Sequence, residues 1–247
     1  MFAAVVGVFL TLMVTPEGLL TSGDAAFFRI AYPEAISLYE SALLSTPQDS
    51  RLFWRLARVY VCSAEVEEDE AKRRPLLRQA EEYARRSIAS DPSLSEGHTW
   101  LAAALGYIAL DAGMSEQVRI SKELLAETER AIALDSSDDA AYSIRGSFFR
   151  ALGNVGWVKR QLASLFIGDI PHGGFAEAEA ALLRAIDLAP DIMRHHYELG
   201  ILYLDWERTA DARRSLERAS TLEIRTAIDR PRKEKSLKLL STLETEE

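Results

Sequence analysis

YESALLSTP (39–47), ARRSIASDP (84–92), TERAIALDS (128–136) and LLRAIDLAP (182–190) share one local grammar. Each is the end of an amphipathic helix, with a small residue, an apolar pair and then a proline or polar stop. LERASTLEI (216–224) is a looser fifth copy. The stops fall at Pro47, Pro92, Ser136, Pro190 and Ile224, so they are separated by 45, 44, 54 and 34 residues. Self-similarity on this scale is the signature of a solenoid, in which each unit buries its apolar face only against its neighbours. Ala, Leu, Glu and Arg dominate between the stops, and no alternating β-branched stretch interrupts them, so the chain reads all-α.

Outward from the stops, small and bulky residues recur at fixed offsets. Counted from Met193, they are His196, Leu199, Gly200, Tyr203, Ala212, Leu216 and Ala219. Counted from Pro16, they are Leu19, Gly23, Ala35, Tyr39, Ala42 and Pro47. Ser50 opens Phe53, Leu56, Ala57 and Tyr60; Asp139 opens Tyr142, Gly146 and Phe149. This resembles the tetratricopeptide repeat, a helix–turn–helix of 34 residues. Small side chains at positions 8, 20 and 27 let paired helices approach, and bulky ones at 4, 11 and 24 fill the space between units. The resemblance implies a right-handed superhelical α-solenoid over 19–247, with units at about 16–49, 50–94, 95–138, 139–192 and 193–226.

Three units exceed 34 residues. The extra segments EVEEDEAKRR (65–74), LDAGMSEQVRI (110–120) and ALGNVGWVKRQLASLFIGDIPHGGF (151–175) read as enlarged insertions between the two helices of a unit. In the third, Val158, Leu162, Phe166 and Ile167 at helical spacing around Trp157 predict an extra amphipathic helix. A closing helix is expected at 232–244 with Leu237, Leu240 and Leu243 on its inner face. Before the repeats, Met1 to Val14 carry no charge, and 1–18 is set apart as an apolar signal-like or anchor-like segment. Fourteen residues fall short of the ~20 needed to span a bilayer but suit the core of a secretory signal. An apolar helix packed on the first unit is the alternative. The expectation is an exported or membrane-associated protein on the periplasmic side.

The 247 residues carry a net charge of −9, which removes the default argument for nucleic acid as partner. Six basic side chains between Arg225 and Lys238 (Arg225, Arg230, Arg232, Lys233, Lys235 and Lys238) face only Asp229 and Glu234, and read as the solvated side of a last helix. The single cysteine, Cys62, permits no internal disulfide and reads as a small buried residue. His98, His172, His195 and His196 form no metal-binding spacing, and His195 and His196 project about 100° apart on a helix. There is no phosphate loop and no nucleophile elbow. No catalytic residue, cofactor or metal is expected, and the chain reads as a scaffold rather than an enzyme.

In tetratricopeptide arrays, first-helix positions 2, 5, 9 and 12 line a concave groove. Here the resemblance places Arg51, Trp54, Arg58 and Val61 there in the second unit. It adds Ala140, Ser143, Ser147 and Arg150 in the fourth, and Arg194, Tyr197, Ile201 and Leu204 in the fifth. His98 and Trp100 fall at the inner edge or repeat junction of the third. Arginine beside an aromatic suits a carboxylate, a phosphate or a peptide backbone; equally, the tryptophans suit inter-repeat core and the arginines suit local acids. The expected partner is a protein or peptide. The alternative is a phospholipid-binding or membrane-tethering module, with Trp157, Lys159 and Arg160 in the insert as membrane contacts.

A narrower resemblance rests on LFWRLARVY (52–60), GHTWLAAALG (97–106), SIRGSFFRALGNVGWVKRQLASLFIGDIP (143–171) and FAEAEAALLRAIDLAPD (175–191). Across roughly 18–243 the chain is similar to the regulator of microtubule dynamics protein family, as a bacterial-type relative. Its most particular parts are His98–Thr99–Trp100, the tryptophan-containing insert and the Pro171 loop. The resemblance implies the helical fold and a groove. In animal members it also implies microtubule association and, at organelle contacts, phospholipid binding. A chain of net −9 meets repulsion at an acidic filament surface, so only the fold and the groove carry over.

Overall fold

The computed structural model of the chain describes residues 15–155 and 171–245. The apolar run Met1 to Val14 and the predicted helix around Trp157, with Lys159 and Arg160, lie outside the described residues. Among the described residues the structure is built from eleven helices and no strand: α1 (Pro16–Phe28), α2 (Tyr32–Leu43), α3 (Ser50–Ala64), α4 (Glu70–Ser90), α5 (Ser95–Leu110), α6 (Met114–Leu134), α7 (Asp139–Asn154), α8 (Phe175–Leu188), α9 (Met193–Asp205), α10 (Thr209–Thr221) and α11 (Asp229–Thr245). Residues 16–18, grouped above with the apolar run, are the first turn of α1. Thr15 fixes that start by accepting the Gly18 N–H, and Pro16 needs no partner at N1.

Consecutive helices pack as five pairs, α1–α2 through α9–α10, and α11 caps α10. The first helices of neighbouring pairs also touch in series: α3 meets α5, α5 meets α7, and α7 meets α9. This is the tetratricopeptide-type α-solenoid, and its cause is steric. A Cβ on Gly23 would stand 2.4 Å from the Tyr39 ring, one on Gly146 2.5 Å from Leu182, and one on Gly200 2.7 Å from Leu216. Only hydrogen leaves room for the partner helix at these crossings. Opposite them, Ala35, Ala42, Ala178, Ala185, Ala212 and Ala219 are fully buried. One apolar core runs from α1 to α7, and two smaller ones continue it through α11.

The sequence reading is corrected at three places. Residues 70–74 and 114–120 do not lie between the helices of their units; they extend α4 and α6 to 21 residues each, against 12 in α2 and 13 in α10. Asp69 starts α4 by accepting the Ala71 N–H, and the good helix formers after it continue the helix. In α11 the inner row is Arg232, Ser236, Leu240 and Leu243, while Leu237 is 52% exposed. Leu237 lies about 100° round the helix from Ser236 and so leaves the buried stripe. Arg232, read as part of a solvated basic face, is only 7% exposed because it enters an ion-pair cluster, whereas Arg225, Arg230, Lys235 and Lys238 are exposed.

Candidate functional site

A cavity of about 380 Å³ opens on the face built by the first helices. Ala103 and Gly106 of α5 and Ile144 and Phe148 of α7 form its apolar walls, together with Leu124 of α6. Part of the α6 wall comes from the helix extension, since Gln117 also lines it. Small residues at Ala103 and Gly106 leave the space open: a Cβ on Gly106 would meet only Leu124, at an ordinary 3.4 Å. Leu110, 74% exposed, and Val155, 37% exposed, stand at the rim. The lining also carries polar side chains, Tyr107, Arg150, Arg194 and Glu198.

These polar groups belong to two connected clusters. Arg150 Nη1 donates to Asp205 at 2.8 Å, its Nη2 lies 3.6 Å from Glu198, and Asn154 donates to the same Asp205 carboxylate. Glu65, which caps α3 and has a side chain only 4% exposed, accepts from three donors. They are the Tyr107 hydroxyl at 2.5 Å, Arg194 Nη1 at 3.5 Å and Arg232 Nη2 at 3.2 Å. Burial, with Glu65 beside it, pushes the Tyr107 phenol far above its ordinary range, so it stays a neutral donor. Burial opposes the Arg194 and Arg232 charges, and the Glu65 carboxylate beside both guanidiniums offsets it and helps hold them protonated. The Nε atoms of Arg150 and Arg194 are buried without a hydrogen-bond partner among the described residues.

Of the residues expected in a groove, Arg150, Arg194 and Ser147 meet at this cavity. The others lie elsewhere. Arg51 pairs with Asp49 at 2.8 Å and Glu17 at 3.3 Å on the surface. Arg58 packs 3.8 Å above the Phe27 ring and pairs with Asp24 at 3.2 Å. Trp54 is half-buried, with Arg55 stacked 4.2 Å over it. His98 is buried, with Nδ1 2.5 Å from Glu127 and Nε2 3.3 Å from the Pro92 carbonyl, which ties α5 to α6. Trp100 packs on the main core, and Tyr197 is buried with Met193 and Leu216. His195 is buried and bonds Asp139 at 2.8 Å. Burial pushes the Cys62 thiol up to about 12, which leaves it unreactive.

Sequence reasoning did not single out Tyr107, Glu65 or Glu198. Tyr107 follows Gly106 on a helix whose repeat register is loosely set, and Glu65 opens an acidic run whose members look alike. No local signal separates the one buried carboxylate from its solvated neighbours. Among the described residues, no group of three or more potential ligands is placed to hold a metal ion, and no helix is long and apolar enough to cross a membrane.

The fold recurs in solved structures. A thermophilic tetratricopeptide protein of Thermus thermophilus superposes with a TM-score of 0.67 at 21% identity, over 90% of this chain and 99% of that one. Yeast Tom70 superposes with a TM-score of 0.57 at 15% identity, over 94% of this chain and 40% of that one. By sequence, the chain is 26% identical over 222 residues to regulator of microtubule dynamics protein 3 of Xenopus laevis, covering 90% of this chain and 47% of that protein. It is 26% identical over 196 residues to protein 1 of Bos taurus, covering 74% of this chain and 62% of that protein. The chain thus spans about half the length of the curated relatives it matches. The family model for regulator of microtubule dynamics protein 1-3 matches residues 24–244, and with nearly the whole repeat region covered, the chain belongs to that family.

Proposed function

We propose that this protein is a non-catalytic binding module that takes an apolar side chain of a protein or peptide partner into the cavity between α5, α6, α7 and α9. The observation that carries this reading is the cavity itself, small-residue walls at first-helix positions 9 and 12 with two guanidiniums in its lining. An apolar anchor in a desolvated pocket supplies most of the affinity of such contacts. Acidic or carbonyl groups beside the anchor fit Arg150 and Arg194. The relatives' names connect them with microtubule dynamics. A net charge of −9 opposes a strongly acidic filament, so the cavity is the better-supported contact.

Gly106→Leu fills the cavity and keeps the helix, since leucine favours helix over glycine. Affinity capture from the source cell with wild-type and Gly106→Leu protein tests the reading. A partner held by the wild type, kept by Trp54→Ala and lost by Gly106→Leu supports it. Retention of every partner by Gly106→Leu, with an unchanged helical circular dichroism spectrum, ends it.

A second reading is favoured by the unpartnered Nε atoms of Arg150 and Arg194 at an apolar cavity: an amphiphile, such as a phospholipid, with its chain between α5 and α7. Native mass spectrometry of the protein from its own host separates the two. A co-purified lipid absent from Gly106→Leu supports the amphiphile, and a lipid-free protein that still captures a partner excludes it. The apolar run Met1 to Val14 supports placement in or across a membrane, on the periplasmic side. A reporter fused after Val14 that remains in the soluble cytoplasm would reject that placement.

A further inference from the structure

The last helix is fastened at both ends of the solenoid. Its apolar side is local: Leu240 and Leu239 pack with Leu216 and Leu222 against α9 and α10. Its polar side is remote. The Ala227 N–H, in the loop before α11, donates to the Tyr32 hydroxyl at 3.0 Å, across 195 positions. Arg232, in the first turn of α11, reaches Glu65 at 3.2 Å, across 167 positions. Asp229 braces this loop by accepting the Arg225 and Thr226 N–H groups at 3.0 and 2.8 Å, and it lies 3.3 Å from Arg232. A helix that merely capped α10 would need neither contact. Segment 225–232 therefore bridges the first two pairs and the last pair.

The bridge and the cavity also share side chains. Tyr107 and Arg194 line the cavity, and both donate to the Glu65 carboxylate that holds Arg232. One buried carboxylate thus divides its acceptor capacity among two groups facing the cavity and one on α11. Drawing Arg194 or Tyr107 toward a ligand changes the field around Arg232, and losing Arg232 leaves Glu65 to Arg194 and Tyr107 alone.

We propose that segment 225–232 with α11 is an intramolecular latch, which closes the solenoid by holding its ends together and is coupled through Glu65 to occupancy of the cavity. This rests on the cavity being the binding site. Binding and latching are reciprocal: whatever ligand occupancy does to the latch, the latch does equally to ligand affinity. The latch is the element best placed to open. α11 has only a short apolar stripe, while its remote contacts are few and polar.

The test uses the full chain and 1-anilinonaphthalene-8-sulfonate, a small apolar anion, as the cavity probe. Tyr32→Phe keeps the ring that stacks on Phe27 and removes only the acceptor for Ala227, at a residue that does not line the cavity. Arg232→Met removes the ion pair and keeps the apolar stem. Hydrogen exchange is followed at the amides of 225–245 and of α3 and α5, and the dye is titrated by fluorescence. Each variant is expected to speed exchange in 225–245 by about fivefold or more, with α3 and α5 unchanged, and to shift the dye's dissociation constant by a comparable factor. Gly106→Leu is expected to abolish dye binding. Unchanged exchange at 225–245 in both variants overturns the latch. So does faster exchange with dye binding that Gly106→Leu abolishes but neither latch variant alters. Dye binding that survives in Gly106→Leu, or is absent from every form of the protein, removes the cavity reading instead, and the coupling with it.

Discussion

Gly146 shows how one atom fixes a helix crossing. A methyl group there would overlap Leu182, and α7 has no slack against α8. Gly146→Ala is expected to lower stability by about 1–3 kcal/mol through overpacking, read from the urea midpoint. Glu207 is the converse case. It sits at φ 58° in the turn after α9, exposed, in a conformation that costs an L side chain about 1–2 kcal/mol. Glu207→Gly should raise the melting temperature. Asp24 carries the residue-scale pH dependence. Burial raises its pKa, but hydrogen bonds from Arg55 and Tyr39 outweigh burial and hold it below the ordinary 3.8. A carboxylate depressed in the fold stabilises above its unfolded value and loses that contribution as pH falls through its folded one. Acid unfolding below about pH 4 should therefore be shallower in Asp24→Asn, which should also cost about 1–3 kcal/mol at neutral pH. The glycine was legible from the repeat offset; the Asp24–Arg55–Arg58 cluster was not, because it joins side chains 31 and 34 positions apart.

Helix lengths decide where the cavity forms. The second and third units place their extra residues at the N-terminal end of the second helix, and in α6 this extension supplies part of the cavity wall. The sequence placed these insertions at the right points in the chain and mistook their conformation. Charged runs such as EVEEDEAKRR suit a loop and a solvated helix equally; in the fold residues 70–74 stay largely exposed, and Arg73 reaches Asp111 at the end of α5 at 3.5 Å. Asp69 is the local determinant of the α4 extension. Asp69→Ala is expected to cost about 0.5–2 kcal/mol and to speed amide exchange in the first turn of α4, leaving the rest of the helix protected. The inner row of α11 has a similar origin: Leu237 looked like core by composition, but the helix is oriented by Arg232 and Ser236, which face inward.

At the scale of the molecule, the Glu65 cluster does what no single repeat interface does. It joins α3, α5, α9 and α11 at one carboxylate. Most surface pairs here, such as Arg29 with Glu34, are exposed and contribute little. Glu65→Ala is expected to cost about 3–5 kcal/mol, because it leaves two buried guanidiniums facing each other without the carboxylate. Arg232→Met should cost clearly less, since Glu65 keeps Tyr107 and Arg194. Chemical denaturation of both variants beside the wild type ranks them, and equal losses would show that the carboxylate has no special place.

The sequence by itself determined the helical pairs and their small-residue crossings, because these depend on side-chain size at offsets within a single unit. The tertiary structure alone decided which arginines meet, that Glu65 rather than its acidic neighbours is buried, and that the last helix returns to the first two pairs. Those contacts depend on the superhelix curving back on itself, and curvature accumulates from small rotations at every interface, which no single stretch of sequence encodes.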